Sequence, residues 1–278
     1  MSTAATDVPD GILLVDTITK LYEKHRGAVV VSGSHGAIYA GYCAAKGHVR
    51  AVIQNDAGIG KDRAGIASLA FLDELRIAAA VTDSATCRIA QAADMWAGGI
   101  ISHVNETAAA LGCKPGDTVR ACAEKMLKAA PSDAPVPSIG EARFVVSDNP
   151  GEPSVIGIDS ASLFKPEDAG NIVVTASHGG LVGGLPDNTT PDVWAATYND
   201  AGGAKDGTGH ARLPDFDRRG LAAATVSNMS ARIGDARSHL ADGIISHVNE
   251  TAKRRGGAPG QTLKAFIAAM IAAKTAGS

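Results

Sequence analysis

The sequence is poor in aromatic residues, which make up 4% of its 278 positions. A core built with so few rings has to come from Ala, Val, Ile and Leu in close contact. An aromatic stacking platform for single-stranded nucleic acid is excluded. A basic excess is missing too: 26 Lys and Arg stand against 29 Asp and Glu, for a net charge of −3. Duplex binding needs such an excess, so no nucleic-acid partner is expected. No apolar run reaches the roughly 18 residues of a membrane span, so no membrane association is expected. The first ten residues carry Asp7 and Asp10 and no basic cluster, unlike a secretory leader. The four cysteines, Cys43, Cys87, Cys113 and Cys122, form no CxxC pair and have no His at zinc-finger spacing. Scattered this way, they read as reduced thiols of a cytoplasmic protein. There is no GxGxxG after an apolar run, no P-loop and no GxSxG elbow. HExxH spacing is also missing, so neither a nucleotide cofactor nor a metal is expected.

What the sequence does contain is a repeat. Residues 99–108, Gly-Ile-Ile-Ser-His-Val-Asn-Glu-Thr-Ala, recur letter for letter at 243–252. The match extends outward: Asn55-Asp56-Ala57-Gly58 answers to Asn199-Asp200-Ala201-Gly202, Lys61-Asp62 to Lys205-Asp206, and Ser34-His35-Gly36 to Ser177-His178-Gly179. Copies of this size are too long for a solenoid, whose period is roughly 20–50 residues. The implied architecture is α/β: an internal tandem duplication giving two similar lobes with mostly parallel sheets, related by a pseudo-twofold axis. Residues 1–130 form the first lobe and 153–278 the second. Residues 131–152 form a Pro-rich linker, with 142–146 a candidate extra strand.

Within each copy, short apolar runs end in polar turns, as buried parallel strands do. In the first copy these are residues 12–15, 28–31, 49–53 and 77–81; in the second, 155–158, 172–175, 193–197 and 221–226. Residues 62–76 place Ile66, Leu69 and Leu72 on one helix face. The duplicated decapeptide is expected in a last helix, with Ile100, Ile101, Val104, Ala108 and Leu111 as an apolar stripe. Retention of Ser102 and Glu106 predicts that its far face is partly buried against protein. The two helices could meet each other or another subunit, and a homo-oligomer is expected. His103 and His247 read as structural histidines rather than ligands.

In an open α/β sheet, ligands bind beyond the carboxyl ends of the strands. Four polar strand ends in series, present in both copies, point to a site there. Gly179 and Gly180 allow backbone amides to approach a ligand. His178 is the residue suited to moving a proton, and Ser177 is a candidate nucleophile. Adjacent strand residues point to opposite faces, however, so these two do not form a pair. Asp200 is a candidate base or orienter, and Lys205 an electrostatic contact. Asn199, Arg212, Arg232, Asp235, His35 and Asp56 complete the expected substrate-binding set. Asp235 and Arg237 stand where the first copy has Gln91 and Ala93, and His210 and Arg212 where it has Ile66 and Ser68. This enrichment predicts one main site, dominated by the second copy, where His178, Asp200 and Arg232 converge. The expected function is an enzyme acting on a small polar or anionic metabolite. Hydrolysis of an amide or ester ranks first, with His/Asp acid–base chemistry and oxyanion stabilisation. A lyase or isomerase step on a small carboxylate, or a non-catalytic binding protein, is the alternative.

Overall fold

The computed structural model describes residues 8–21 and 23–277, so most of the segment compared with a secretory leader lies outside the described residues. The first sheet orders its strands as β1 (Ile12–Val15), β2 (Val29–His35), β3 (Ala51–Asn55), β4 (Ala78–Thr82) and β5 (Ile101–Val104). β1 to β4 are parallel and β5 is antiparallel to β4. The second sheet carries β6 (Arg143–Ser147), β7 (Val155–Ile158), β8 (Ile172–His178), β9 (Ala195–Asn199), β10 (Ala222–Val226) and β11 (Ile245–Val248). β7 to β10 are parallel, and both edges, β6 and β11, are antiparallel. The α/β reading with mostly parallel sheets therefore holds, and residues 142–146 do contribute a strand.

The apolar runs form strands because both faces are covered. Val29, Val31, Ile53 and Ala80 face one layer, while Val30, Val52 and Ala79 face the other. The helices of the first lobe are α1 (Ile38–Lys46), α2 (Ser68–Glu74), α3 (Ala92–Gly98), α4 (Glu106–Ala110) and α5 (Val119–Met126). α1 and α2 supply Ala40, Ala44, Leu69 and Leu72 to one core; α3 and α5 supply Met95, Trp96, Cys122 and Met126 to the other. The second lobe has α6 (Arg212–Arg218), α7 (Ala236–Asp242), α8 (Glu250–Arg254) and α9 (Leu263–Thr275). Phe216 of α6 and Phe266 and Met270 of α9 anchor its two cores. All four cysteines are free thiols. Among the described residues, no helix is long and apolar enough to cross a membrane.

Two local expectations need correction, and the two copies differ at one place. The decapeptide is a strand, a turn and a short helix: β5 then α4 in one copy, β11 then α8 in the other. A short β-branched run, Ile100-Ile101 with Val104, suits an edge strand as well as a helix stripe, and antiparallel pairing to β4 or β10 decides it. Ser102 and Ser246 are half-buried, but Glu106 and Glu250 are exposed in the single chain. The residues expected as one helix over 62–76 instead form a 3-10 turn, Lys61–Ile66, followed by α2. Asp62 and Arg63 there have φ of 53° and 57°, which breaks the helix. Finally, the second copy has no counterpart of α1. Its Gly-Gly-Leu-Pro sequence passes through a 3-10 turn, Val182–Gly184, and continues as an irregular strap to β9.

Asn105 and Asn249 explain much of the decapeptide's retention. Each caps its helix by accepting from the backbone N–H of Ala108 or Ala252. The same oxygen accepts from Ala79 N or Ala223 N, at the start of the neighbouring strand. Each amide nitrogen donates to Ile77 O or Leu221 O at 2.8 Å. One buried side chain thus ties strand, turn and helix together. Asn105→Ala or Asn249→Ala should cost about 2–4 kcal/mol, because buried backbone groups lose their partners along with the cap. Glu106→Ala, at an exposed position, should change stability by about 0.5 kcal/mol or less. Urea unfolding of the three variants checks this; equal effects would remove the tether from the explanation.

Candidate functional site

The carboxyl-terminal edges of the two sheets face each other across a seam. Its closest point is formed by the two Asn-Asp-Ala-Gly turns. A Cβ on Gly58 would lie 2.9 Å from the Cα of Gly202, and one on Gly202 would lie 2.9 Å from the Cα of Gly58. Backbone bonds cross in matching pairs: Lys61 N donates to Asn228 O and Lys205 N to Ser84 O, both at 2.8 Å. Arg88 reaches Asp206, and Arg232 reaches Asp62. Between these lies an apolar cluster containing Ala37, Ala57 and Ile89 with Ala201 and Ile233.

This arrangement sets His35 and His178, the last residues of β2 and β8, against each other. Their ring centroids are 6.0 Å apart and the planes cross at 79°. Each Nδ1 accepts a backbone proton, from Ala37 N at 3.3 Å and from Gly180 N at 3.2 Å. In the neutral ring the proton therefore sits on Nε2. Among the described residues, no hydrogen bond is formed to Nε2 of either ring. Burial lowers His35 to about 4. It lowers His178 to about 3, with further depression from His35 and the Arg212 guanidinium. Both rings are neutral near pH 7 and act as Nε2–H donors.

The other expected residues hold the scaffold. Ser177 Oγ accepts from Ala161 N at 2.8 Å, as Ser34 Oγ does from Ile18 N at 3.0 Å. Asp200 Oδ1 accepts from Gly202 N and Asn228 N; Asp56 Oδ1 accepts from Gly58 N and Ser84 N. Asn199 accepts from Ala201 N and donates to Ala231 O. Gly179 N is committed to Asn199 O, and Gly180 N to the His178 ring, so these amides are spent inside the protein. Gly179 is required for another reason: a Cβ there would lie 2.5 Å from Gly209 O. Lys205 pairs with Asp94 at 3.3 Å. Arg212 is buried, bonded to Asp187 and set 5.0 Å from the Tyr198 ring. Arg232 sits between Asp62 at 2.8 Å and Asp235 at 3.1 Å, and Asp235 also caps α7 through Ser238 N. His178 and His35 are thus brought together. The hydrogen bonds and ion pairs of Asp200 and Arg232 go elsewhere than to His178.

A cleft of about 270 Å³ opens at one end of the seam. Ala37, Ile38, Tyr39 and Asp62 line it from the first lobe, and Arg232 to Asp235 from the second. Gly234 approaches His35 here: a Cβ on it would lie 3.7 Å from the imidazole Cε1. Glu141, from the Pro-rich segment, lies near Tyr39, Ser160 and Ser162, and burial raises its pKa. The equivalent end of the seam, beside His178, is covered by the strap. Gly183 N bonds to Ala90 O, and Gly180 and Gly184 pack on Ile89 and Gln91. The opening therefore draws on both copies rather than on the second alone. Tyr39, Asp62 and Glu141 were not singled out from sequence, because neither a lone Tyr nor a Glu among prolines carries a spacing signal.

A second polar group begins at the last residue of the Lys205–His210 turn. His210 stacks on His247 at 4.3 Å, and His247 Nδ1 lies 3.4 Å from Thr225 Oγ1. His103 Nδ1 is buried without a partner. Among the described residues, no group of three or more His, Cys, Asp or Glu is arranged to hold a metal ion. Comparison with known proteins finds no matching protein family, no matching curated sequence and no matching solved structure.

The buried histidines make stability depend on acid. His35, His178 and His239 fall from 6.5 in the unfolded chain to about 4, 3 and 4 in the fold. The unfolded chain binds these protons first, so stability is full above pH 6.5 and declines between 6.5 and about 4. The slope is up to about 1.4 kcal/mol per pH unit for each histidine. Urea unfolding from pH 7 to 4 should show this decline. His239→Gln should make it shallower, and an unchanged slope would exclude His239 as a contributor.

Proposed function

We propose that this chain is an enzyme acting on a small polar metabolite held in the seam, and that the reaction is hydrolysis of an amide or ester bond. The observation that supports it is the opposed pair His35 and His178, both neutral, with Nδ1 occupied and Nε2–H free to donate. Preorganised donors in a partly water-excluded site are what a developing oxyanion needs. The expected glycine-amide cradle is committed internally, so this task passes to the imidazoles. Water attacks the carbonyl carbon and yields its proton to a carboxyl group beside the cleft. The carbonyl oxygen becomes an oxyanion against the Nε2–H groups. Collapse breaks the C–N or C–O bond, and the proton returns to the leaving nitrogen or oxygen. We assign this role to Glu141, which is not itself a lining residue but lies near the lining residue Tyr39, and whose pKa burial raises.

Proton abstraction beside a carbonyl, a lyase or isomerase step, is the second reading. It needs the same neutral Nε2–H donors, to hold the enolate oxygen, and the same base, and like the first reading it uses neither Ser34 nor Ser177. In either reading Arg232 is not the anion holder, since its guanidinium is engaged by two carboxylates.

The test is turnover of a panel of small amides and esters, with products resolved by NMR. His35→Gln and His178→Gln should each lower kcat by about 10²-fold or more while the melting temperature is kept. Glu141→Gln should remove the acid limb of the pH–rate profile. A substrate turned over equally by wild type and both histidine variants would overturn the proposal.

A further inference from the structure

The charges around the open end of the seam are unequal, and the inequality is specific to that end. At the covered end, Arg88 and Lys205 stand against Asp94 and Asp206, two cations against two carboxylates. At the open end, Arg232 alone stands against Asp62 and Asp235. Lys61, the counterpart of Lys205, has turned away to Asp242 at 2.7 Å. The sequence change behind this involves three positions of one turn, of which Arg237, in place of Ala93, lies over the Phe144 ring and outside the cleft lining. Ser238 stands where the first copy has Asp94, and Asp235 where it has Gln91. A carboxylate has in effect moved from behind the loop to the cleft lining. The Tyr39 ring lies on the same wall, with Glu141 behind it.

We infer that the occupant of this cleft is a carbonyl compound carrying a cationic nitrogen, an ammonium or guanidinium group, with its carbonyl toward the histidines and its cation at Asp235 and Asp62. The inference rests on the reading that the seam is the substrate site. Two carboxylates about one guanidinium in the cleft lining, with a tyrosine beside them, are the chemistry that holds a cationic nitrogen. An anionic substrate would meet Asp62 and Asp235 unscreened by the single guanidinium between them.

Three matched amides separate the possibilities: β-alaninamide (cationic), propionamide (neutral) and succinamate (anionic). Each is titrated into the intact protein at up to tens of millimolar, with the amide signals of Tyr39 and Gly234 followed by NMR. β-Alaninamide should shift both signals and saturate first, with succinamate weakest. Asp235→Gln, which restores the residue of the first copy, should weaken β-alaninamide about fivefold and leave propionamide unchanged. Asp62→Asn, which leaves the α7 cap in place, should act in the same direction. Succinamate binding as tightly as β-alaninamide, or no shift at Gly234 with the cationic probe, would overturn the inference. The hydrolytic reading is judged separately. Turnover of succinamate that is lost in His178→Gln would uphold it while overturning the charge assignment.

Discussion

A Cβ at Gly58 or Gly202 would fall 2.9 Å from the other glycine's Cα, so the two turns can touch only as glycine against glycine, each with φ near 69°. That contact sets the separation of the lobes, and the separation sets what the seam can contain. Asp56 and Asp200 hold it from behind. Each gathers the amide of its own turn and the amide at the end of the next strand onto one oxygen. The second of those amides belongs to Asn228 in one lobe, whose side chain reaches Ala57 O and Gly58 O across the seam. Histidines on the strands beside these turns then have little choice but to face one another.

Such closeness is costly, and the costs are localised. Asp62, Arg63 and Asp206 are held in the left-handed region, where a side chain costs about 1–2 kcal/mol. The backbone bonds of Lys61 and Lys205 across the seam, and the ion pairs of Asp62 and Asp206, lie in the same turns. The imidazoles give up the charged state on burial. A neutral ring whose Nδ1 is fixed by an amide has one remaining role at the other nitrogen, that of donor. Burial thereby chooses between the two functions open to a histidine.

Much of the fold was legible because buried parallel strands leave a plain trace: Val29 to Val31, Val52 with Ile53, and Ala78 to Val81 are apolar on both faces. The decapeptide misled because Ile100, Ile101 and Val104 fit a helix stripe while their β-branched side chains equally suit a strand, and only pairing to the neighbouring strand chooses between them. The site was legible in part. His35 and His178 were visible as matched strand ends, but their juxtaposition depends on how the lobes dock, which no single copy encodes. Asp200, Ser177 and Asn199 carried the right residue types for chemistry, yet their oxygens go to backbone amides that a tight seam would otherwise leave bare. Arg212 is held by Asp187, a residue of the strap that has no equivalent in the first copy. Glu141 enters from a proline-rich segment whose path is set by β6 pairing with β7, and nothing local to it signals that destination.

The strap has a consequence for how such a molecule can change over time. In an assembly of two identical lobes, each substitution appears at both ends of the shared face, so any loop that closes one end closes the other. Joining the two lobes in one chain removes that restriction. Helix α1 can remain at one end while glycines 180, 183 and 184 carry the chain across the other. A carboxylate can then be added at position 235 with Gln91 left as it was. The covalent link contributes no contact to the cleft, yet it is what allows one face to have an entrance and a wall.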